Sequence, residues 1–375
     1  MGAGYDICIR GAGIVGRTLA LLLARERLRV ALVDPPRRAD ASPDVRAYAV
    51  NPANQVLLER VRGWPAGTAT TAVLAMQVQA DRHGAVRFSA AEQGVPALNW
   101  IVDVPALEAQ LAEAVRYQGA IERLDEPVPA PLTVVCEGRA SRTRAELGVA
   151  WQATSYPQQA VATRLECERP HQQVARQWFT PEGEILAFLP LGGPTGHEVA
   201  VVWSVASERA AEIAGWNDAA LAAALHQTSG ACLGALQIQG ARASWPLVMA
   251  QATPWVGRVP GRAGESFALA GDAAHAMHPL AGQGLNVGLG DAAELARVLA
   301  TRERWRPLSD LRLLRRYERA RRGEWLRMKL ATDNLQLLFG HPAPLAGALR
   351  NWGMALFDRC GPIKSRVARL AMGTA

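Results

Sequence analysis

Residues Gly271 to Ala296 read GDAAHAMHPLAGQGLNVGLGDAAELA, and this stretch decides how the chain folds. It follows Ser266-Phe267-Ala268-Leu269-Ala270, a short apolar run of the kind that forms a buried strand. It leads into Asp291-Ala292-Ala293-Glu294-Leu295-Ala296-Arg297-Val298-Leu299, whose apolar spacing predicts a helix. The order is strand, acidic turn, glycine-rich loop, helix. Gly282, Gly284, Gly288 and Gly290 are expected at the start of that helix, where the missing Cβ lets backbone pack against a flat or charged ligand. A helix N-terminus offers free N–H groups and positive potential to an anionic or electron-rich group. Asp272 stands where open α/β sheets bind ligands and is placed to accept hydrogen bonds from a sugar-like hydroxyl chain. A glycine-rich loop with no ligand is the plain alternative, and the number of special-backbone positions in one run argues against it.

A second unit lies at the other end of the chain. Tyr5 to Arg10 is a short apolar run, followed by Gly11-Ala12-Gly13-Ile14-Val15-Gly16, a helix from about Ile14 to Arg25, a strand over Arg29 to Val33, and Asp34. This is strand, G-x-G-x-x-G, helix, strand, acid, the context that makes the glycine pattern specific. Gly11 makes the tight turn, Gly13 lets a pyrophosphate approach the backbone, and Gly16 lets helix and strand pack closely. Asp34 lies where a carboxylate holds an adenosine ribose, and its charge repels a 2′-phosphate. Taken alone, the unit fits NAD and FAD equally well.

The Gly271–Ala296 stretch resembles the second FAD-binding motif of the class A flavoprotein monooxygenases. Its fuller form, Ala273-Ala274-His275, then Pro279-Leu280-Ala281-Gly282-Gln283-Gly284-Leu285-Asn286, then an Asp-led helix, is similar to the branch that hydroxylates polyprenyl-phenols in ubiquinone biosynthesis. The resemblance covers nearly the whole chain and is strongest over 1–60 and 178–375. It implies FAD, with Asp272 on the ribityl hydroxyls and Pro279, Gly282, Gln283, Gly284, Leu285 and Asn286 beside the isoalloxazine. It implies an α/β fold of p-hydroxybenzoate hydroxylase type: a Rossmann-like FAD-binding domain interleaved with a mixed β-sheet substrate domain, then C-terminal helices. The implied division is FAD-binding over 1–71, 100–153 and 253–330, substrate-binding over 72–99 and 154–252, and a C-terminal helical segment over 331–375. Arg46, ahead of a short helix, matches an arginine on the flavin side; a surface arginine is the alternative.

Other stretches fit this frame. Ala72 to Phe88 alternates around a turn at Asp81-Arg82-His83-Gly84, which predicts a hairpin that the resemblance places in the substrate domain. Val104 to Tyr117 predicts a helix, with Leu107, Leu111 and Val115 on one stripe. The chain then departs from its relatives. In place of a strand hairpin and a Gly-Ala-Asp-Gly turn that touches FAD and the nicotinamide donor, it has a proline- and acid-rich Gln118 to Pro131 and then Glu137-Gly138-Arg139. Glu137 replaces the expected Asp, with an ordinary turn residue as the alternative reading. Gln158 to Leu189 and Glu198 to Ser204 alternate as in a sheet with one covered face. Among eleven tryptophans, Trp151, Trp178, Trp203 and Trp245 are read as core rather than ligand contacts. His275 and His278 have metal-ligand spacing but no third ligand in sight, so no metal is expected and both are read as loop histidines beside the flavin.

The totals agree with a globular protein. The chain has 375 residues, 49% hydrophobic and 20% charged, enough for two domains and a buried core. No apolar run reaches membrane-spanning length, and no basic-then-apolar leader precedes the first strand, so the expected location is the cytoplasm. Five scattered cysteines, without C-x-x-C, point to reduced thiols. A net charge of +7 suggests acidic partners. No nucleic-acid module is visible, and an anionic membrane surface is the better candidate. Leu311 to Ala375 reads as helices in which Arg312, Arg315, Arg316, Arg319, Arg321, Arg322 and Arg327 outnumber Glu318 and Glu324, while Leu345, Leu349, Trp352 and Leu356 share a stripe. Such basic amphipathic helices lie peripherally on the inner face of a membrane, or else pack on their own protein with a solvated basic face.

The resemblance implies an aromatic hydroxylase acting through a flavin C4a-hydroperoxide, with O2 and a polyprenylated phenol as substrates and NAD(P)H as donor. Because the cofactor does the hard step, no side chain is assigned as catalytic beyond the flavin-ring loop. The alternatives are a catalytically silent FAD-binding subunit of a ubiquinone-biosynthesis complex, motivated by Glu137 and the missing hairpin, and a hydroxylase of a soluble aromatic.

Overall fold

The computed structural model describes residues 4–36, 44–80, 84–276 and 284–340, with backbone alone over 327–340. The chain opens with β1 (Ile7–Arg10), α1 (Ile14–Arg25) and β2 (Val30–Val33). The two strands pair in parallel, which requires the crossover that α1 supplies. Residues on every side of α1 are buried, Leu19 and Leu23 completely, and each such leucine contributes about 1.5–3 kcal/mol on leaving water.

Next come β3 (Ala47–Val50) and α2 (Pro52–Arg60), the helix capped by the Asn51 side chain, which accepts the Asn54 N–H at 2.9 Å. Then follow β4 (Thr70–Val73), β5 (Ala75–Ala80), β6 (Gly84–Ser89), α3 (Ala90–Gln93) and β7 (Asn99–Asp103). β3, β7 and β4 form a small antiparallel sheet, and β5 pairs with β6 as the predicted hairpin. α4 (Val104–Arg116) starts where Asp103 accepts the Ala106 N–H, and it buries the predicted stripe of Leu107, Leu111 and Val115.

Gln118 to Pro131 corrects the sequence reading. This segment is more than a connection, because β8 (Ile121–Leu124) forms the edge of the parallel sheet against β2. An edge strand leaves Glu122 and Arg123 exposed, so too little alternation remains in the sequence to mark it. β9 (Leu132–Val135) and α5 (Arg142–Glu146) follow.

The middle of the chain is β10 (Ala150–Cys167), β11 (Val174–Phe179), β12 (Ile185–Leu191), β13 (Glu198–Ala206), α6 (Ser207–Ala214), α7 (Asp218–Thr228) and β14 (Leu236–Thr253). β15 (Val256–Arg258) and β16 (Ser266–Leu269) return to the first sheet. β17 (His275–Ala276), α8 (Gly284–Ala300) and α9 (Leu311–Gly340) complete the described elements.

Two large sheets result. The first has the order β15-β16-β9-β1-β2-β8 and is parallel apart from β15; the second, β17-β14-β10-β13-β12-β11-β5-β6, is antiparallel apart from the β5–β11 pair. Trp178 and Trp203 lie in the core between the second sheet and α6 and α7, with Trp178 edge-on to Phe188. The long strands β10 and β14 reach back to the first sheet, where Val149, Met249 and Trp255 pack on Val135, Phe267 and Leu269. This α/β architecture is the one the resemblance implied. Strand β10 runs unbroken through residue 154, and α9 runs unbroken through residue 331.

α8 starts at Gly284, earlier than the Asp-led segment suggested, so Gly288 and Gly290 lie inside the helix and not at its start. Their smallness serves packing. A Cβ on Gly288 would stand 2.9 Å from the Val15 side chain and 3.3 Å from Gly271 Cα, and one on Gly290 would stand 2.8 Å from the Arg321 guanidinium. The tightest approach is at Gly16, where a Cβ would fall 1.9 Å from the Gly11 carbonyl oxygen, a backbone atom that cannot swing aside. Gly16→Ala gains roughly 1 kcal/mol of helix propensity. Overpacking costs about 1–3 kcal/mol and here more, because backbone must move. The variant is expected to melt several degrees below wild type, and an unchanged or higher melting temperature would refute this contact.

Candidate functional site

The parallel register brings four strand ends to one edge of the first sheet. Arg10 is level with Val33 and with Val135, and Val135 is level with Leu269. The segments beginning at Gly11, Asp34, Cys136 and Ala270 therefore leave the sheet side by side, at the carboxyl ends where open α/β sheets hold ligands.

Gly11 has φ of +108°, which residues with a side chain rarely adopt, and a Cβ there would meet the Cys136 carbonyl at 2.6 Å. Gly13 caps α1 without any side-chain hydrogen bond, and apart from its chain neighbours no atom of the described residues lies within 4 Å of where its Cβ would be. The first turn of α1 thus presents uncapped N–H groups to open space, the arrangement that takes a phosphate. Asp34 follows β2, and its Oδ2 accepts from Arg123 at 2.8 Å and from Arg17 at 3.4 Å, while Oδ1 has no donor among the described residues. Arg123 lies on β8, so the edge strand hidden in the sequence positions a predicted site residue.

The second motif packs directly on the first. A Cβ on Gly271, whose φ is +61°, would touch Val15 in the first turn of α1 at 3.2 Å. Asp272 follows immediately. Its side chain is exposed, yet surrounding protein desolvates it enough to raise its pKa, against the lowering influence of His275, Arg139 and Arg46. A carboxyl both accessible and desolvated lies in a cleft. Arg139, exposed in the turn after Glu137, is near enough for its charge to act on Asp272 and was not singled out in the sequence.

Other expected residues have local duties. Arg46 is half-exposed and held by Asp44 through its Nε at 2.8 Å, and Nη1 also reaches the Tyr48 hydroxyl at 3.2 Å. Glu137 accepts from Ser141 Oγ, from Thr143 Oγ1 and from the Thr143 N–H, and pairs with Arg10 at 3.3 Å; it organises the turn into α5. Asn286 accepts from the Asn51 N–H and from Asn54 Nδ2 and donates to the Ala49 carbonyl at 2.7 Å, tying α8 to the β3–α2 junction. Leu285 is buried and Gly284 begins α8. Pro279, Gly282, Gln283 and His278 lie outside the described residues.

His275 corrects the sequence reading. It is not a loop histidine: it pairs through β17 with β14, is fully buried, and bonds Asp291 Oδ2 through Nε2 at 2.6 Å. Arg321, counted among the basic surface residues, is also buried, with Nε 2.7 Å from Asp291 Oδ1. The sequence signal for both was available: Leu314, Tyr317, Arg321 and Trp325 share one helical stripe, and a charge within a buried stripe needs a buried partner.

The uncapped helix, the Cβ-free approach and the accessible carboxylate fit a cofactor with a pyrophosphate and a hydroxyl chain. Comparison with known proteins agrees. The FAD binding domain family matches residues 69–325. The chain is 31% identical to ubiquinone hydroxylase UbiL of Rhodospirillum rubrum, covering 98% of this chain and 90% of that one. It is 30% identical to 3-demethoxyubiquinol 3-hydroxylase of Escherichia coli, covering 98% of both. In fold it is similar to the crystal structure of p-nitrophenol 4-monooxygenase PnpA from Pseudomonas putida DLL-E4, with TM-score 0.75, 19% identity, and 99% and 97% of the two chains covered. A cleft built for a dinucleotide at the sheet's carboxyl edge and this degree of likeness along the whole sequence lead to one conclusion: the chain belongs to the FAD-dependent aromatic monooxygenases, in the family of the ubiquinone-biosynthesis hydroxylases.

Proposed function

We propose that this chain hydroxylates the aromatic ring of a polyprenylated phenol in ubiquinone biosynthesis, with bound FAD, O2, and NAD(P)H as electron donor. The observation that carries the reading is the contact of the Gly271 turn with Val15, which sets Asp272 and the Gly11–Gly16 turn on one cleft. FAD, when bound, supplies the oxygen-transfer chemistry. The chain's residues bind, orient and shield. The α1 amides beyond Gly13 hold the pyrophosphate, Asp34 Oδ1 the adenosine ribose, and Asp272 the ribityl hydroxyls. Arg46 and Arg139 supply positive potential to the cleft. β14 and β17, paired at Ala250 with Ala276, lead the second sheet up to the Gly271 turn, which supports the reading that this sheet covers the aromatic substrate. A dry pocket protects activated oxygen from water. On this reading 1–71, 100–153 and 253–330 bind FAD, and 72–99 and 154–252 bind substrate.

The test supplies purified, FAD-loaded protein with a polyprenylated phenol, O2 and NADH or NADPH. Substrate-stimulated oxidation of the nicotinamide, with a product heavier by one oxygen atom, is expected. Flavin that neither nicotinamide reduces would favour the silent-subunit reading, for which the commitment of Glu137 to its own turn is a motive. Preference for a soluble aromatic would favour the third reading, and a colourless protein that takes up no FAD would sink all three.

Gly13→Ala separates cofactor binding from folding. Since nothing among the described residues beyond its chain neighbours lies near the new methyl group, the apoprotein is expected to lose less than about 1 kcal/mol, the scale of an N-cap change. FAD affinity, followed by flavin fluorescence, is expected to fall roughly tenfold or more, as when a group at a preorganised charge site is displaced. Equal affinities would remove the pyrophosphate from this place.

We also propose peripheral contact with an anionic lipid surface through α9. None of the described helices is long and apolar enough to cross a membrane. Arg312, Arg315 and Arg319 are exposed, and Arg258, Arg312 and Arg315 line an open cavity of about 490 Å³ beside Trp305, which is 76% exposed. Exposed Trp beside basic residues suits a headgroup layer. Co-sedimentation with vesicles containing phosphatidylglycerol is expected to exceed that with pure phosphatidylcholine and to fall with salt. Arg312→Glu/Arg315→Glu is expected to abolish the difference, and unchanged binding would contradict the reading.

A further inference from the structure

The buried charges beneath the Gly271 turn have a task that cofactor chemistry alone does not explain. One carboxylate, Asp291, is completely excluded from solvent and takes three donors from three elements. Its Oδ2 accepts from the Gly271 N–H at 2.8 Å and bonds His275 Nε2 at 2.6 Å. Its Oδ1 accepts from Arg321 Nε at 2.7 Å. Arg321, 5% exposed, donates further to the Val287 carbonyl at 3.0 Å and pairs with Glu324. The absent Cβ of Gly290 is what admits the guanidinium.

The same helix grips both sides of the turn. One turn of α9 before Arg321, the Tyr317 hydroxyl donates to the Leu269 carbonyl at 2.8 Å, and Glu318 accepts the Trp255 N–H at 2.9 Å. Trp255 lies against the His275 ring with centroids 5.0 Å apart. Leu269 precedes the Gly271 turn, Asp291 holds its amide, and His275 follows it. Arg321 sits far along the chain from every one of these groups, yet it orients the carboxylate that they share.

We propose that Arg321 and Asp291 are positioning residues for the flavin: through the Gly271 amide they fix the left-handed turn that aims Asp272, so the C-terminal helix sets cofactor affinity. The inference rests on the FAD reading above. The physical argument is directional. Apolar side chains of equal volume would fill the same space, often at equal or greater stability. A carboxylate bound from three directions also fixes the orientation of the peptide it holds, which packing alone leaves free. An error of a fraction of an ångström at Gly271 passes undiminished to Asp272, the next residue.

The test uses the full-length chain, stripped of FAD, as wild type, Arg321→Met and Arg321→Lys. Each is titrated with FAD, following quenching of flavin fluorescence, at a temperature where far-UV circular dichroism shows the apoprotein fully folded. In Arg321→Met the FAD dissociation constant is expected to rise about tenfold, within the range of long-range coupling. The visible circular dichroism of the bound flavin should change with it, and Arg321→Lys should recover part of both. A lowered melting temperature with unchanged FAD affinity and flavin dichroism would show a core strut and overturn the inference. If Arg321→Met does not fold, Asp291→Leu/Arg321→Met removes both charges, and wild-type FAD affinity in that variant overturns the inference equally. Failure of the wild-type chain to take up FAD overturns the cofactor reading together with this one, whereas normal wild-type binding with unaltered variants overturns this one alone.

Discussion

The structure depends on one close approach, that of the first turn of α1 to the Gly271 turn and to α8, with Val15 between them. More than two hundred residues separate the two motifs, and nothing local draws them together. What does is the placement of β16 beside β9 and β9 beside β1, which brings their ends level, and then the absence of side chains at Gly271 and Gly288. A methyl group at either would press on Val15 and widen the gap between motifs. Cofactor binding by this fold is therefore a packing problem before it is a polar one. The glycines that touch no ligand matter as much as those that line the cleft.

The N-terminal unit was legible because its signals are local. A tight turn, a bare helix start and a close helix–strand contact each require glycine within six residues, and the α1 apolar run needs no distant partner to be recognised. The α4 stripe and the β5–β6 hairpin were legible for the same reason. What escaped were features defined by a partner far along the chain. β8 carries the polar surface of an edge strand and shows itself as a strand only through β2. Gly288 and Gly290 read as ligand-facing because the sequence does not reveal Val15 or Arg321 as neighbours. Arg321 was counted with the surface cations because six other arginines surround it, although its place on the stripe of Tyr317 and Trp325 sets it apart.

Residues at family-matching positions also divide their work in a way that sequence alone does not display. Asn286 has its carbonyl and amide committed to Asn51, Asn54 and Ala49. It aligns the strand that follows Arg46 with the start of α8, so its contribution to the cleft is the mutual placement of two elements. Glu137 is similarly engaged, its longer side chain reaching Ser141 and Thr143 across the turn, while the neighbouring Arg139 is left exposed with its charge reaching Asp272. Glu137 thus holds its own turn, and the turn presents Arg139 toward Asp272.

Asp272 and Asp291 show how environment separates two identical side chains that both feel His275. Burial alone would raise the pKa of Asp291, but His275 and Arg321 outweigh it and hold the carboxyl below its usual range. The stability it contributes is present at neutral pH and is lost as pH falls through that lowered value. Asp272 has the opposite balance: desolvation prevails over His275, Arg139 and Arg46, and its pKa is raised. The folded apoprotein therefore holds its proton more firmly than the unfolded chain does, and stability declines as pH rises from the ordinary carboxylate range through the raised value. Desolvation penalises the ionised form of Asp272, the form that hydrogen-bond donors stabilise. Hydroxyl groups of a ligand supply those donors, so binding favours the ionised form and the ionised form favours binding. His275 and Arg321 are both bonded to Asp291, so the donors that would favour an ionised Asp272 are left for a hydroxyl-bearing ligand to bring.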